Sequence, residues 1–164
     1  MATADALPDR SLQERFFPDG RCFGCGPANE KGLRIRSFET APVAGAEVVC
    51  DWTPEPHHEA TAGMLNGGIV GALMDCHGNW TAAHHLMRRD GLERPPTTVT
   101  GDFHVRLKKP TPSNQPLRMA ARAVSSEGRK VKVAVEMTSG GEVTATCDAT
   151  YFAVKPDHPA ARRW

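Results

Sequence analysis

The sequence predicts an α+β domain: an antiparallel sheet of about six strands wrapped round one long central helix. Two patterns predict it. Residues 60–87, ATAGMLNGGIVGALMDCHGNWTAAHHLM, read as a turn running into a single long helix with apolar residues at helical spacing. After Pro96 the period changes to two and holds through four segments joined by short turns, the pattern of an antiparallel meander. A chain of 164 residues suits one core. The expected division is an N-terminal arm at 1–20, one domain at 21–154 and a flexible basic tail at 155–164.

Each element has a local reason. Ser11 to Phe17 is predicted as a short helix capped by Ser11, with Phe16 and Phe17 pinning the arm to the body. Leu33, Ile35 and Phe38 begin a strand over Gly32–Glu39, and Pro42 and Gly45 mark a turn at Ala41–Ala46. Glu47–Trp52 forms the second strand of this hairpin, with Val48, Cys50 and Trp52 on one face, and Pro54 and Pro56 stop it. His57–Leu65 is read as a loop. Asn66 is a good N-cap for the central helix, which is expected to end near Met87 with Arg88 and Arg89 suited to its C-terminal dipole. The later strands are Thr98–Lys108, Leu117–Val124, Lys130–Thr138 and Glu142–Val154, with Gly140-Gly141 as a hairpin signal. Strict alternation in the first of these puts Thr100, Asp102 and His104 on one face.

The helix has an unusual face. At roughly 100° per residue, Gly68, Gly71, Asp75, Gly78, Asn79 and Ala82 share a narrow stripe. A second stripe, Ile69, Leu73, Cys76, Trp80, Ala83 and Met87, is built for a core. Asp75 therefore stands where bulk has been cleared, in a half of the helix expected to be buried. Burying a carboxylate is costly. Either a backbone amide or a Lys or Arg satisfies it, or it has chemical work to do. The helix N-terminus, where Gly67 and Gly68 follow the cap, has unpaired N–H groups able to hold an anion or a developing oxyanion. His77, His84 and His85 fall on the face away from Asp75, where solvent or interface roles are expected.

The totals exclude several classes. Net charge is +1, so no global field points to nucleic acid or a membrane surface. No run of 18 apolar residues exists and the N-terminus lacks a signal pattern, so a cytoplasmic protein is expected. Five scattered cysteines, an odd number, argue against a disulfide scaffold. Cys22-x-x-Cys25 invites zinc, but structural zinc needs four ligands and the spacing of His57 and His58 matches no common pattern. Buried thiols in a Gly-rich turn are expected instead, with Cys76 buried and inert on the apolar stripe. No metal and no cofactor is expected.

The order of these elements, together with CFGCGPANEKGL, HEATAGMLNGG, Asp75 and LKKPTP, resembles the hotdog-fold acyl-CoA thioesterases, the phenylacetate-pathway-like branch in particular. The resemblance covers residues 20–154. In that family a loop reading His-x-Asn-x-x-Gly-x-x-His-Gly-Gly leads into the helix; His58, Gly63, Gly67 and Gly68 fall on it, while Ala60 stands at the Asn and Asn66 at the second His. The resemblance implies hydrolysis of an acyl-CoA thioester by a homodimer, with a homotetramer left open and no metal. It implies Asp75 as general base or nucleophile, the Gly68 amide as oxyanion donor, and supporting roles for Asn66, Asn79 and Thr100. Asp75 would come from the partner subunit relative to the Gly68 amide it serves. His58 and Gly67 would contact substrate. Arg106, Lys108 and Lys109, or Arg129, Lys130 and Lys132, would meet the phosphates of coenzyme A. A non-catalytic acyl-CoA-binding protein is the second reading and a hotdog enoyl-CoA hydratase or dehydratase the third.

Overall fold

A computed structural model describes residues 7–41 and 45–163. The chain runs α1 (Leu12–Phe16), β1 (Phe38–Glu39), β2 (Val48–Trp52), β3 (Glu59–Thr61), β4 (Met64–Leu65), α2 (Gly67–Arg89), β5 (Thr98–Leu107), β6 (Leu117–Glu127), β7 (Lys130–Ser139) and β8 (Glu142–Ala153). Among the described residues, six strands form one antiparallel sheet in the order β1-β2-β6-β7-β8-β5, and β3 and β4 make a separate small ribbon. The expected architecture is present: α2 lies across the sheet and buries Val70, Leu73, Met74 and Trp80 against it.

The meander follows its period. Val131, Val133, Val135 and Met137 of β7 are buried, alternating with exposed Lys130, Lys132 and Glu136. Gly140 and Gly141, both at positive φ, make the two-residue turn between β7 and β8 that their sequence signals. Three register shifts depart from strict alternation. One lies in β5 between Thr100 and Asp102. The bulged residue is Gly101, where an added Cβ would sit 2.5 Å from the Phe152 ring.

The expected strand Gly32–Glu39 shrinks to Phe38–Glu39. Leu33 and Ile35 are buried as their pattern implies, but their N–H groups bond Phe23 and Gly24 carbonyls, and Ser37 N–H bonds the Gln13 side chain. The segment is held by the Cys22–Cys25 loop and by α1, so it has no strand neighbour. The loop expected over His57–Leu65 is ordered as a 3₁₀ turn, Pro56–His58, followed by the β3–β4 ribbon. The central turn of the first hairpin, with Pro42, lies partly outside the described residues. Helix α1 has the predicted Ser11 cap, completed as a capping box with Glu14.

The arm is fixed by more than Phe16 and Phe17. Gln13, Ser37 and His77 form a buried polar chain, with Gln13 Nε2 donating to Ser37 Oγ at 3.0 Å and Ser37 Oγ 2.9 Å from His77 Nδ1. The solvent or interface role expected for the helix histidines is therefore corrected at two of the three: His77 and His84 are buried beneath the segment that the sequence left as an arm and a strand. His84 Nε2 meets Glu39 at 2.8 Å.

Gly78 admits a close approach. The chain's one tyrosine, Tyr151 of β8, is fully buried and donates its hydroxyl to the Asp75 carbonyl at 3.0 Å. A Cβ on Gly78 would lie 2.3 Å from that hydroxyl oxygen. Gly78→Ala should cost roughly 1–3 kcal/mol by overpacking. Tyr151→Phe should cost about 1 kcal/mol for the lost hydrogen bond. The double variant should lose less than the sum, a coupling that urea unfolding of the four proteins measures. Burial holds the His77 imidazole down at about 4 from 6.5. Below pH 6.5 the unfolded chain takes up a proton that the folded chain refuses, so stability is full above 6.5 and lost as pH falls towards 4. The loss should reach about 3 kcal/mol, with His58 acting in the same direction. Denaturant midpoints across this window check it.

Candidate active site

The small stripe of α2 runs antiparallel to β5, one contact per helical turn. An added Cβ on Gly67 would sit 3.3 Å from Leu107, and one on Gly71 would sit 3.7 Å from Phe103. Thr100 Oγ1 donates to Asp75 Oδ1 at 2.9 Å. Thr98 Oγ1 donates to Asn79 Oδ1 at 2.8 Å, and Asn79 Nδ2 returns to the Thr98 carbonyl at 3.4 Å. The Gly101 bulge makes this set possible. It reverses the parity of β5, so Thr98 and Thr100 face the helix before it, and Phe103 and Leu107 face it after. His104 and Asp102 consequently do not share Thr100's face, which corrects the strict alternation expected from sequence.

Asp75 is half-buried, on the wall of a cavity of about 730 Å³ that also touches Asn79, Thr98, Thr100, Cys22 and Trp80. Burial pushes its carboxyl above the ordinary carboxylate range, and the hydroxyls of Thr100 and Tyr151 offset this only in part. No Lys or Arg pairs with it among the described residues. A carboxylate with a raised affinity for protons, one hydroxyl donor and open space in front of it is equipped to take a proton from a bound molecule. The tail expected to be mobile supplies buried Ala160 to the same wall.

The helix mouth is built from the preceding ribbon. Asn66 caps α2 as predicted, its Oδ1 accepting from Gly68 N–H at 2.8 Å and from Ile69 N–H at 3.2 Å. The Gly68 amide is thus engaged by the cap. Asn66 N–H bonds the His58 carbonyl, and Leu65 N–H bonds the Thr111 carbonyl. Glu59 accepts from Gly63 N–H and Ser113 Oγ, tying the ribbon to residues 111–113. His58 is buried, its Nδ1 accepting Glu55 N–H and its ring against Trp52, so it shapes the approach to the helix. Gly67 and Gly68 are exposed.

The basic residues divide. Arg106 pairs with Asp148 at 2.5 Å, Lys109 pairs with Glu142 at 2.7 Å, and Arg129 donates to the Ala153 carbonyl. Lys108, Lys130 and Lys132 are exposed and enter no ion pair among the described residues. In the sheet register Lys130 lies beside Phe152 and Val99, whereas Lys108 follows Leu107 at the other end of β5. The two clusters occupy opposite ends of the sheet. Lys130 is at the Asp75 end and Lys108 at the Gly68 end.

Sequence reasoning missed Tyr151, Thr98 and the meeting of Cys22, Cys25 and Cys76. Gly78 on the stripe was the one signal for Tyr151. Nothing in the spacing of 22, 25 and 76 announces that a loop closes on the helix.

Six antiparallel strands curled round a 23-residue helix define a hotdog fold. Solved structures of thioesterase-superfamily proteins share it. One, from Shewanella loihica PV-4, is 23% identical, covers 78% of this chain and 97% of its own, and has a TM-score of 0.61. A phenylacetic acid degradation-related protein from Ralstonia eutropha JMP134 is 19% identical over 87% of this chain and 99% of its own, with a TM-score of 0.62. Zebrafish thioesterase superfamily member 2 is 19% identical over 77% and 90%, with a TM-score of 0.60. No protein-family model and no curated protein matches the sequence. Among the described residues, no helix is long and apolar enough to cross a membrane.

Thr100→Val removes the hydroxyl that holds the Asp75 proton affinity down. The Asp75 carboxyl should then titrate at a higher pH than in the parent protein. Carbon NMR of the labelled carboxylate reads this without any assay of activity.

Proposed function

We propose that the chain is an acyl-CoA thioesterase of the cytoplasm, hydrolysing an acyl thioester to free acid and thiol. The supporting observation is Asp75: partly buried, raised in proton affinity, held by Thr100 and opening on a cavity of about 730 Å³. In this reading Asp75 takes a proton from water as the oxygen attacks the thioester carbonyl. The carbonyl oxygen becomes an oxyanion, the carbon–sulfur bond breaks, and the proton passes to the departing thiolate. Direct attack by the carboxylate, followed by hydrolysis of the anhydride, reaches the same products. The oxyanion would be held at a helix N-terminus, by Gly68 N–H once Asn66 Oδ1 yields it, with the Asn66 amide as a further donor. Asn79 and Thr100 orient the acid's surroundings.

Gly68 and Asp75 lie seven positions apart, about 10 Å along the helix axis. One thioester carbonyl cannot serve both in the same chain, which favours a homodimer in which each mouth faces the partner's acid. Edge strand β5 is the natural seam. Among the described residues it pairs only with β8, and it shows Phe103 and Leu107 half-exposed beside the stripe. Lys108 at one end, and Lys130 and Lys132 at the other, would meet coenzyme A phosphates, and Gly67 and His58 shape the entrance.

A second reading, acyl-CoA binding without hydrolysis, is favoured by one observation: the Gly68 amide is already occupied by Asn66. Incubation with a panel of CoA thioesters separates the two. Hydrolysis should appear as released thiol, and Asp75→Asn should slow it by about 10²–10⁴-fold with the dimer intact in sedimentation. Undiminished turnover in that variant would exclude the acid's role. Ligand-dependent melting shifts without thiol release would establish the binding reading.

A further inference from the structure

We infer that Cys22, Cys25 and Cys76 form a binding site for a thiophilic cation, zinc(II), held by three sulfurs with its fourth position open to the cavity beside Asp75.

The three Sγ atoms all lie within 4.8 Å of one another, and Cys22 Sγ is 3.7 Å from Cys76 Sγ. A tetrahedral zinc with Zn–S bonds of about 2.3 Å keeps its sulfurs about 3.8 Å apart. The sulfurs are thus already near the separation that the ion imposes. They come from two elements: the 22–25 turn supplies two and the middle of α2 supplies the third. Gly24 lets them meet, since a Cβ there would fall 2.3 Å from Cys76 Sγ. The turn is closed by Gly26 N–H on the Cys22 carbonyl and anchored by Leu33 and Ile35 N–H groups on Phe23 and Gly24.

Surrounding groups suit bound thiolates. Trp80 Nε1–H donates to Cys25 Sγ at 3.3 Å, and Arg36 donates to the Cys25 carbonyl. All three cysteines line the cavity of about 730 Å³, as do Arg21 and Asp75. No carboxylate or imidazole of the described residues completes the set. A water or an entering solute therefore fills the fourth position. The thiols still protonated lose their protons as the ion binds, so affinity should rise with pH. Along the sequence the absence of a fourth ligand argues against zinc, and helical spacing puts Cys76 on the apolar stripe; the folded chain brings its sulfur to the 22–25 turn.

The site does not depend on hydrolase activity, and neither does its test. The reduced, untagged full chain is titrated with cobalt(II), then zinc(II). A thiolate-to-cobalt charge-transfer band with tetrahedral ligand-field bands should saturate at one ion per chain, and zinc should abolish both. Cys22→Ser and Cys76→Ser should each remove the band, while Cys147→Ser should keep it. Cys22 is exposed, so Cys22→Ser tests the site even if Cys76→Ser fails to fold. Absence of the band in reduced protein, or its persistence in Cys22→Ser, overturns the inference.

Discussion

The close approach of one helix face to two strands governs this molecule. Because Gly78 presents no side chain, β8 lies directly against α2 through Tyr151, and Leu107 and Phe103 of β5 pack along the same stripe at Gly67 and Gly71. Thr100 then reaches the Asp75 carboxylate and Tyr151 reaches its carbonyl. A bulkier stripe would push the strands away and leave an acid in the core with no donor. That is an expensive arrangement. The same contact leaves Asp75 half-buried and raises its affinity for a proton, which a base near neutrality requires.

The helix also sets distances. Its mouth and its acid are fixed by α-helical rise at opposite ends of the β5 contact. On the proposed reading each chain therefore carries half of two sites, and the exposed apolar residues of β5 are the means of joining them. The ribbon before the helix, tied by Glu59 to residues 111–113, holds Asn66 in the capping position. That cap satisfies the first-turn amides in the free protein. A substrate oxygen must therefore compete with a side chain for one of them.

The N-terminal segment belongs to the working structure. Gln13 and Ser37 reach buried His77 and the 22–25 turn brings two sulfurs to Cys76. Both contacts fall on α2, and the 22–25 turn forms part of the cavity wall beside Asp75.

The class of fold, the Asn66 cap, the strand periods of the meander and the isolation of Asp75 among small residues are all legible along the chain. Each is a local property: spacing, capping chemistry and alternation are written in consecutive residues. The contacts that give those residues meaning arise when distant segments pack together. Gly101 reads as one glycine among several, yet as a bulge it separates Thr100 from His104. Residues 33–37 alternate like a strand, yet their N–H groups find a loop and a helix. Cys22 and Cys76 are 54 positions apart, and no pattern along the chain encodes that their sulfurs touch. Register shifts and loop closures depend on which distant surface completes the packing, and a linear pattern carries no record of that.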